Sequence, residues 1–184
     1  MTNTLKRLLT VAGVLVLWAG TAAAADRKDF AIASDIAGSV SRYSNFTIFD
    51  DVNVEVKDGV AMLTGKVTMP YKRDDIGKRA SKIDGVMSVQ NKIEVLPVSQ
   101  SDDQLRYLIA RSIYGNSNFW NYAIMPNPPI HIIVEHGRVT LTGVVQNNVD
   151  RMLARSLASN FLSFSVTNNL KTDQEVREQV EQRS

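Results

Sequence analysis

The segment VEVKDGVAMLTGKV, residues 54–67, is the most informative part of the sequence, because IIVEHGRVTLTGVV repeats it at residues 132–145. Gly59 and Gly137 occupy the same position in the two copies. In each copy an Asp-Gly or His-Gly step separates two runs of alternating apolar residues. Such a step is typical of a two-residue turn with positive φ at both central positions. The sequence therefore predicts two β-hairpins, one in each of two repeated modules.

A two-residue loop also fixes which residues of a hairpin face each other. We expect Gly65 and Gly143, each opposite a β-branched residue, to allow close approach by another element, as the turn glycines Gly59 and Gly137 allow the turn. Outside the buried face, Glu135 should lie across from Arg138. The pairs predicted for the buried face are Val56 with Ala61, Val54 with Leu63, Val52 with Gly65, Val134 with Val139, Ile132 with Leu141, and Ile130 with Gly143.

Apolar residues at helical spacing predict one helix before and one after each hairpin. A short third strand follows the second helix of each module. The predicted fold class is therefore α+β, with two repeated helix-strand-strand-helix-strand modules, each a small three-stranded sheet with two helices. The helical patterns are Phe30, Ala33, Ala37 and Val40; Ile76, Ala80 and Ile83; Leu105, Leu108, Ile109 and Ile113; and Ala154, Ala158 and Phe161.

The N-terminal residues have the pattern of a secretory signal peptide. Lys6 and Arg7 precede an apolar run at residues 8–19, and alanines follow it. That run is short for a membrane core of about 30 Å. We predict a signal peptide at residues 1–25, a first domain at 26–97, a second domain at 98–172 and a polar C-terminal tail at 173–184. The short linker between the domains favours two modules docked against each other.

Composition narrows the possible environment and partners. The chain has no cysteine, which excludes a lipid-anchored lipoprotein, a disulfide framework and thiol catalysis. Removing Lys6 and Arg7 from the 21 basic residues leaves 19, which equals the number of acidic residues. A net charge of zero argues against a general nucleic-acid binder. We expect a periplasmic protein that is soluble after cleavage of the signal peptide.

The repeated segments resemble the BON-domain family, in particular its OsmY-like periplasmic members. The resemblance lies in VNVEVKDGVAMLTGKV with IDGVMSVQNKIEV, and again in IHIIVEHGRVTLTGVV with SVTNNLKT. The second copy departs from the family pattern at Leu162, Ser163 and Phe164, where the family has Gly-Val. The resemblance implies the same modular fold, a periplasmic location and no enzymatic activity. It also implies a role in envelope integrity or osmotic stress, and binding of phospholipid membranes.

Five residues of the second module are candidates for binding a lipid or a partner protein. Phe119, Trp120 and Tyr122 precede the hairpin, and amphipathic aromatic rings suit a bilayer interface. Arg106 and Arg111 lie on the preceding helix, where they could meet phosphate headgroups. The alternative is that the aromatic rings close the core of the module or fill the interface between modules.

The sequence contains no pattern for catalysis or for a cofactor. His131, Glu135 and His136 are too few for a zinc site. Paired aspartates at residues 74–75 and 102–103 sit at helix starts, where negative charge meets the helix dipole. No nucleophile elbow is present. We therefore predict no enzyme, no catalytic, metal or cofactor-binding residue, no small-molecule substrate and no nucleic-acid partner.

Three functions compete on the sequence alone. The favoured hypothesis is an envelope protein whose modules bind anionic phospholipid surfaces or membrane-associated envelope proteins. The second is a soluble stress protein that binds exposed hydrophobic segments of periplasmic clients through Val60, Met62 and Ile133 on the outer hairpin faces. The third is an adaptor in which each module binds a different envelope protein.

Overall fold

The computed structural model describes the backbone of residues 21–181 and the side chains of residues 28–181. Residues 1–20 of the predicted signal peptide and residues 182–184 of the predicted tail lie outside the described residues. The first module contains α1 (Thr21–Ser41), β1 (Asp51–Lys57), β2 (Val60–Val67), α2 (Pro70–Ala80), β3 (Ser88–Asn91) and β4 (Glu94–Val95). The second contains α3 (Gln100–Tyr114), a 3-10 turn (Ser117–Phe119), α4 (Trp120–Ala123), β5 (Ile130–Glu135), β6 (Arg138–Val145), α5 (Asn148–Ala158), β7 (Ser165–Asn168) and β8 (Lys171–Thr172).

Each module has one mixed sheet whose central strand is the second strand of the hairpin. Strand β2 pairs antiparallel with β1 and parallel with β3 and β4, and β6 pairs in the same way with β5, β7 and β8. The two short strands at the parallel edge are halves of the single third strand predicted from the sequence. All six predicted cross-strand pairs of the buried face occur in the observed register. The α+β prediction with two repeated modules is confirmed.

The hairpin turns have the predicted positive φ angles. Asp58 and Gly59 have φ angles of 50° and 74°, and His136 and Gly137 have φ angles of 51° and 71°. Two consecutive residues at positive φ define the turn type whose twist matches that of the flanking strands. The Asp-Gly and His-Gly steps therefore form the turns that their sequence predicts.

A buried aspartate of the preceding helix holds each turn. The Asp29 carboxylate accepts hydrogen bonds from the amides of both turn residues, at 2.6 and 3.0 Å, and Asp102 does the same in the second module, at 2.9 Å for each. Asp29 and Asp102 are 9% and 2% exposed. A carboxylate that accepts two backbone N–H bonds makes charge-assisted hydrogen bonds, which are stronger than neutral ones. Asp102 thus binds the hairpin turn as well as standing in the first turn of α3.

The other two glycines of the repeat, Gly65 and Gly143, lie inside β2 and β6 at φ angles of 116° and 111°. A Cβ atom would lie 2.2 Å from the Asp51 carbonyl oxygen at Gly65, and 1.8 Å from the Pro129 carbonyl oxygen at Gly143. The predicted close approach is present. The approaching group is the backbone of the paired strand at Asp51, and the backbone just before the paired strand at Pro129.

The rotation of α1 differs from the predicted one. Its buried apolar residues are Ile32, Ile36 and Val40, whereas Phe30 is 54% exposed. The reason is that Asp29 must reach the turn amides, which places residues three and seven positions later against the sheet. Phe30 and Ala37 are therefore not part of the buried stripe.

In each module a backbone amide just after the hairpin bonds to a buried acceptor, and the two modules provide chemically different acceptors. In the first, the fully buried Asp50 carboxylate pairs with Lys72 at 2.7 Å and accepts a bond from the Thr68 amide at 2.8 Å. In the second, the Tyr122 hydroxyl accepts from the Gln146 amide at 2.8 Å and donates to Asp150 at 2.7 Å. Gln146 and Asp150 occupy the positions in the second repeat that Thr68 and Lys72 occupy in the first. A neutral hydroxyl therefore replaces the buried carboxylate.

The ionisation of these groups follows from their partners. Burial acts to raise the pKa of the Asp50 carboxyl, but the bonds from Lys72, Thr68 and Thr47 together hold its pKa below the usual value. Burial, followed by the bond to Asp150, raises the pKa of Tyr122 to about 12. Asp50 is therefore charged and Tyr122 neutral at physiological pH.

The two modules are docked, as the short linker predicts. The Ile132 amide on the outer edge of β5 donates to the Ile48 carbonyl of the first module at 2.7 Å. Phe49 packs against the second hydrophobic core and forms an edge-to-face contact with Tyr107, with ring centroids 5.2 Å apart. The segment that precedes β1 therefore covers the edge of β5.

Charged and aromatic contacts extend this interface over the outer face of β5. Lys66 forms an ion pair with Glu135. The rings of Phe46 and His131 pack with their centroids 5.5 Å apart. Ile133, between His131 and Glu135 on the same face, is only 6% exposed. Its predicted role in binding client proteins is therefore wrong. The backbone of Glu135 does lie opposite Arg138, as predicted, but its side chain pairs across the interface instead.

The predicted polar tail contains a further helix, α6 (Asp173–Glu181). Glu175 joins this helix to α5, because both of its carboxylate oxygens accept from the Arg151 guanidinium, at 2.8 and 3.0 Å. The Thr172 amide also donates to Glu175, at 2.9 Å. This amide bond, followed by the bond from Arg151, lowers the pKa of Glu175.

Replacing Gly59 or Gly137 by Val should destabilise the protein by about 1–3 kcal/mol, because a β-branched residue at positive φ is strained. Urea unfolding followed by circular dichroism measures the effect. The matched controls are Gly59→Asn and Gly137→Asn, which should cost less, since Asn tolerates this conformation. Equal midpoints for the Val and Asn variants would contradict the assignment of strain to the turn.

Lys72→Met should destabilise the protein by roughly 3–5 kcal/mol, because it leaves the buried Asp50 carboxylate without its cation. The lowered pKa of Asp50 means that its stabilising contribution in the wild type is present above the ordinary carboxyl pKa and is lost as pH falls through the folded value. Without Lys72 that pKa rises, so the stability gap between variant and wild type should narrow on acidification. The control Asp50→Asn/Lys72→Met should be less destabilised than Lys72→Met at neutral pH. If the difference in stability between Lys72→Met and the wild type did not change with pH, the Asp50–Lys72 ion pair would not be its source.

Candidate functional site

Helix α4 presents two apolar side chains to solvent from a buried base. Trp120 and Ile124, one helical turn apart, are each 66% exposed. Phe119 and Tyr122, on the opposite side of the same segment, are 0% and 3% exposed. Their rings pack with centroids 5.7 Å apart. Helical spacing therefore places Phe119 and Tyr122 in the core, where they anchor the segment, and leaves Trp120 and Ile124 exposed.

Three of the five predicted binding residues do not lie on the surface. Phe119 and Tyr122 belong to the core of the second module, as the alternative interpretation of the aromatic rings predicted. Arg106 is 4% exposed, because its guanidinium pairs with Asp103 and donates to the Val134 carbonyl at 2.6 Å. The prediction that these three side chains contact a lipid or a partner was wrong. The Val134 carbonyl on the outer edge of β5 needs a hydrogen-bond donor, and Arg106 supplies it.

The other two predicted residues are exposed. Trp120 points away from the core, and Arg111 lies in the last turn of α3. The Arg111 side chain makes no ion pair within the described part of the chain. Helix α3 contacts both the 3-10 turn and α4.

Helix α5 adds further exposed apolar residues that the sequence analysis missed. The bond between Tyr122 and Asp150 holds α4 beside the N-terminal turn of α5. That turn exposes Val149 and Met152, at 73% and 65%. Both residues lie outside the helical stripe of Ala154 and Ala158, and this spacing could have identified them as exposed from the sequence.

A shallow depression of about 410 Å³ lies next to Met152 on α5. Arg155 contributes a guanidinium that is exposed and has no ion-pair partner among the described side chains. A planar guanidinium can donate two parallel hydrogen bonds to phosphate oxygens. The depression is lined by Arg151, Met152, Arg155, Ser156, Ser159 and Asn168. We call the combined area of Trp120, Ile124, Val149, Met152 and Arg155 the α4/α5 surface.

The first module has its own basic depression between α1 and α2, with a volume of about 440 Å³. Lys78, Arg79 and Lys82 contribute three cations to its lining. The Arg79 guanidinium stacks over the Tyr43 ring at 4.7 Å, and the Tyr43 hydroxyl donates to Asp75 at 2.7 Å. Burial, followed by the Asp75 bond, raises the pKa of Tyr43. This hydroxyl therefore stays protonated beside the cations.

No group of three or more potential ligands among the described side chains is placed to hold a metal ion. No described helix combines the length and the apolar character that a membrane span requires.

Comparison with known proteins identifies the repeated unit. The model of the BON domain family matches residues 28–97 and again residues 116–174. A search of curated proteins found no match. Proteins of this family are associated with the cell envelope, with stress responses and with binding of membranes or phospholipids, and are generally not enzymes.

Two solved structures of a secretion-system protein are distantly similar. One is the C-terminal domain of CdsD, the structural protein of the type III secretion system of Chlamydia trachomatis, with 15% identity and a TM-score of 0.31. It covers 78% of this chain, and this chain spans 66% of it. The other, also of CdsD, has 14% identity and a TM-score of 0.31, and covers 83% of this chain and 68% of its own. Similarity at this level carries no inference about function.

The two matched segments fall within the two docked modules. The first contains α1 from residue 28, the hairpin, α2 and the parallel edge strands, and the second begins after α3 and contains the hairpin, α5 and the parallel edge strands. Together they cover more than half of the sequence. The chain belongs to the BON domain family and carries the domain twice.

Proposed function

We propose that this protein is a non-catalytic periplasmic envelope protein that attaches to anionic phospholipid surfaces through the α4/α5 surface of its second module. The observation that carries the proposal is the exposure of Trp120 and Ile124 on a helix whose other face is anchored in the core. The association of the family with envelope and stress proteins supports a role in osmotic or envelope stress.

A fixed tryptophan suits the interface between hydrocarbon and headgroups. Its ring has an apolar body and a polar N–H, and such rings concentrate at that depth of a bilayer. Because Phe119 and Tyr122 anchor α4, Trp120 does not need to leave a core before it meets a membrane. The module can therefore bind without unfolding.

Arg155 supplies a cation beside Met152, in the depression that both residues line, and Arg111 is a second exposed cation of the same module. A basic residue near an anionic membrane surface contributes about 1 kcal/mol, and this contribution falls within a Debye length. The equal numbers of basic and acidic residues outside residues 1–25 provide no long-range attraction. Attachment should accordingly be local, reversible and weakened by salt.

The competing function of binding unfolded clients loses much of its predicted surface. Ile133 is buried at the interface between modules, and Val60 and Met62 are half-buried. The α4/α5 surface could also bind an envelope protein instead of lipid, and the experiment below distinguishes the two.

The mature protein should float with vesicles that contain anionic phospholipid and not with purely zwitterionic vesicles, and the attachment should weaken as salt is raised. Trp120 is the only tryptophan outside residues 1–25, so the same titration should shift its fluorescence to shorter wavelength. An envelope-protein ligand predicts neither effect with pure lipid. Absence of flotation and of a spectral shift at every salt concentration would reject the lipid assignment.

Arg155→Ser should weaken vesicle binding at low salt by about fivefold, the equivalent of about 1 kcal/mol. Arg42→Ser is the matched control, since Arg42 is also exposed and without an ion-pair partner in the described residues but lies in the first module, just after α1. Both variants change the net charge by one. Equal weakening by the two would mean that only total charge matters and would remove Arg155 from the site.

A further inference from the structure

The outer edges of β1 and β5 occupy equivalent positions but differ in how they are covered. On β5, outward-pointing backbone groups bond to α3 or to the first module. These bonds are from the Ile130 amide to Tyr114 Oη at 3.1 Å, from Tyr114 Oη to the Ile130 carbonyl at 2.6 Å, from the Ile132 amide to the Ile48 carbonyl at 2.7 Å, and from Arg106 to the Val134 carbonyl at 2.6 Å. Each of the three outward-facing residues of β5 therefore has at least one bonded backbone group.

The corresponding edge of β1 has none of these partners. Val52, Val54 and Val56 match Ile130, Ile132 and Val134 in the repeat, and no hydrogen bond within the described part of the chain reaches their outward backbone groups. When α1 and α3 are aligned on their turn-binding aspartates, the positions of Arg106 and Tyr114 are taken by Ala33 and Ser41. These two side chains are too short to reach the strand in the same way.

The missing cover also leaves apolar side chains accessible. Val52, Val54 and Val56 are only partly buried, whereas their three counterparts on β5 are each 0% exposed. On the helix side, Ala37 is exposed and Ala33 is half-buried. We call the area formed by these five residues the α1/β1 groove. Its counterpart in the second module is the place where Phe49 packs.

The loop between α5 and β7 carries exposed apolar side chains that could fill such a groove. Leu162 and Phe164 are 100% and 85% exposed, the highest values for large apolar side chains in residues 100–172. The loop is not loosely attached, since the Phe164 amide donates to the Gly137 carbonyl at 2.9 Å. A substituent on Gly137 would meet the Phe164 ring, so the ring lies over the hairpin turn. This turn therefore presents an aromatic side chain in a fixed position.

We propose that the α1/β1 groove binds the Leu162–Phe164 loop of a second copy of this chain, with Phe164 filling the position that Phe49 fills in the second module. The carbonyl of Ser163 precedes Phe164 as that of Ile48 precedes Phe49, so it can accept from the Val54 amide. Groove and loop lie on different modules of one chain. Such a head-to-tail contact joins different surfaces and builds open chains of copies, unless the rotation closes a ring.

Charge favours the same pairing. The outer face of β1 carries Asp51 and Glu55 against one cation, Lys57. Arg138 is exposed and lies opposite Ser165, the residue after Phe164, in the register of β6 and β7. None of these four charged side chains has an ion pair within the described residues. An acidic strand beside the groove and an arginine beside the loop attract each other in the proposed contact.

The experiment is sedimentation velocity of the mature protein from low micromolar to near-millimolar concentration, without lipid. The wild type should form larger species as concentration rises. Ala33→Arg places a guanidinium where Arg106 acts in the second module, and Phe164→Ser removes the aromatic ring; each should weaken assembly on the order of tenfold or more. The matched controls, Ala31→Arg and Met152→Ser, change exposed residues outside the contact and should assemble like the wild type.

Mixing the two variants gives the decisive result. Ala33→Arg keeps an intact loop and Phe164→Ser keeps an intact groove, so an equimolar mixture should form a heterodimer that does not grow further. Circular dichroism and urea unfolding establish that both variants fold. A wild type that stays monomeric throughout, assembly that persists in Ala33→Arg, or a mixture without heterodimer each overturns the proposal. Loss of vesicle binding in Phe164→Ser, with a monomeric wild type, would instead assign the loop to lipid. The proposal does not depend on the α4/α5 surface, so either can fail alone.

Discussion

The buried aspartate that binds each hairpin turn is the interaction on which both modules depend. It satisfies two turn amides that point away from the strands, and it joins the first helix of the module to the hairpin at one fixed point. A helix held at Asp29 or Asp102 can rotate little about its axis. The residues that face the sheet, and those left to solvent, follow from that one attachment.

Much of the fold could be predicted because the deciding signals are local. Period-two alternation and a two-residue turn fix the hairpin register within about 14 residues, and the repeat supports each assignment independently. The rotation of α1 could not be predicted in this way. Its apolar positions allow two stripes, and the choice depends on a bond from Asp29 to a turn 29 residues away.

The candidate site was less predictable for the same physical reason. Phe119, Trp120 and Tyr122 have similar intrinsic preferences for a half-buried position, and only the surroundings separate them. Tyr122 is drawn inward because its hydroxyl replaces the Asp50 carboxylate of the first module and satisfies the Gln146 amide. Arg106 is drawn inward because β5 has a carbonyl without a strand partner. In both cases the deciding partner lies 24 or more residues away in sequence.

The two modules share one skeleton, and the interface between them makes them unequal. The second module receives Phe49 and the Ile48 carbonyl from the first, and it adds Arg106 and Tyr114 to close its own edge. The first module receives no equivalent cover in the described residues. An uncovered strand edge offers backbone donors and acceptors to another chain, and a small domain buries too little surface of its own to leave such an edge without cost. An intermolecular contact therefore gains more at the edge of β1 than at the surfaces that both modules have in common. The proposed lipid attachment and the proposed self-association then use different surfaces: the α4/α5 surface for the first, and the α1/β1 groove with the Leu162–Phe164 loop for the second.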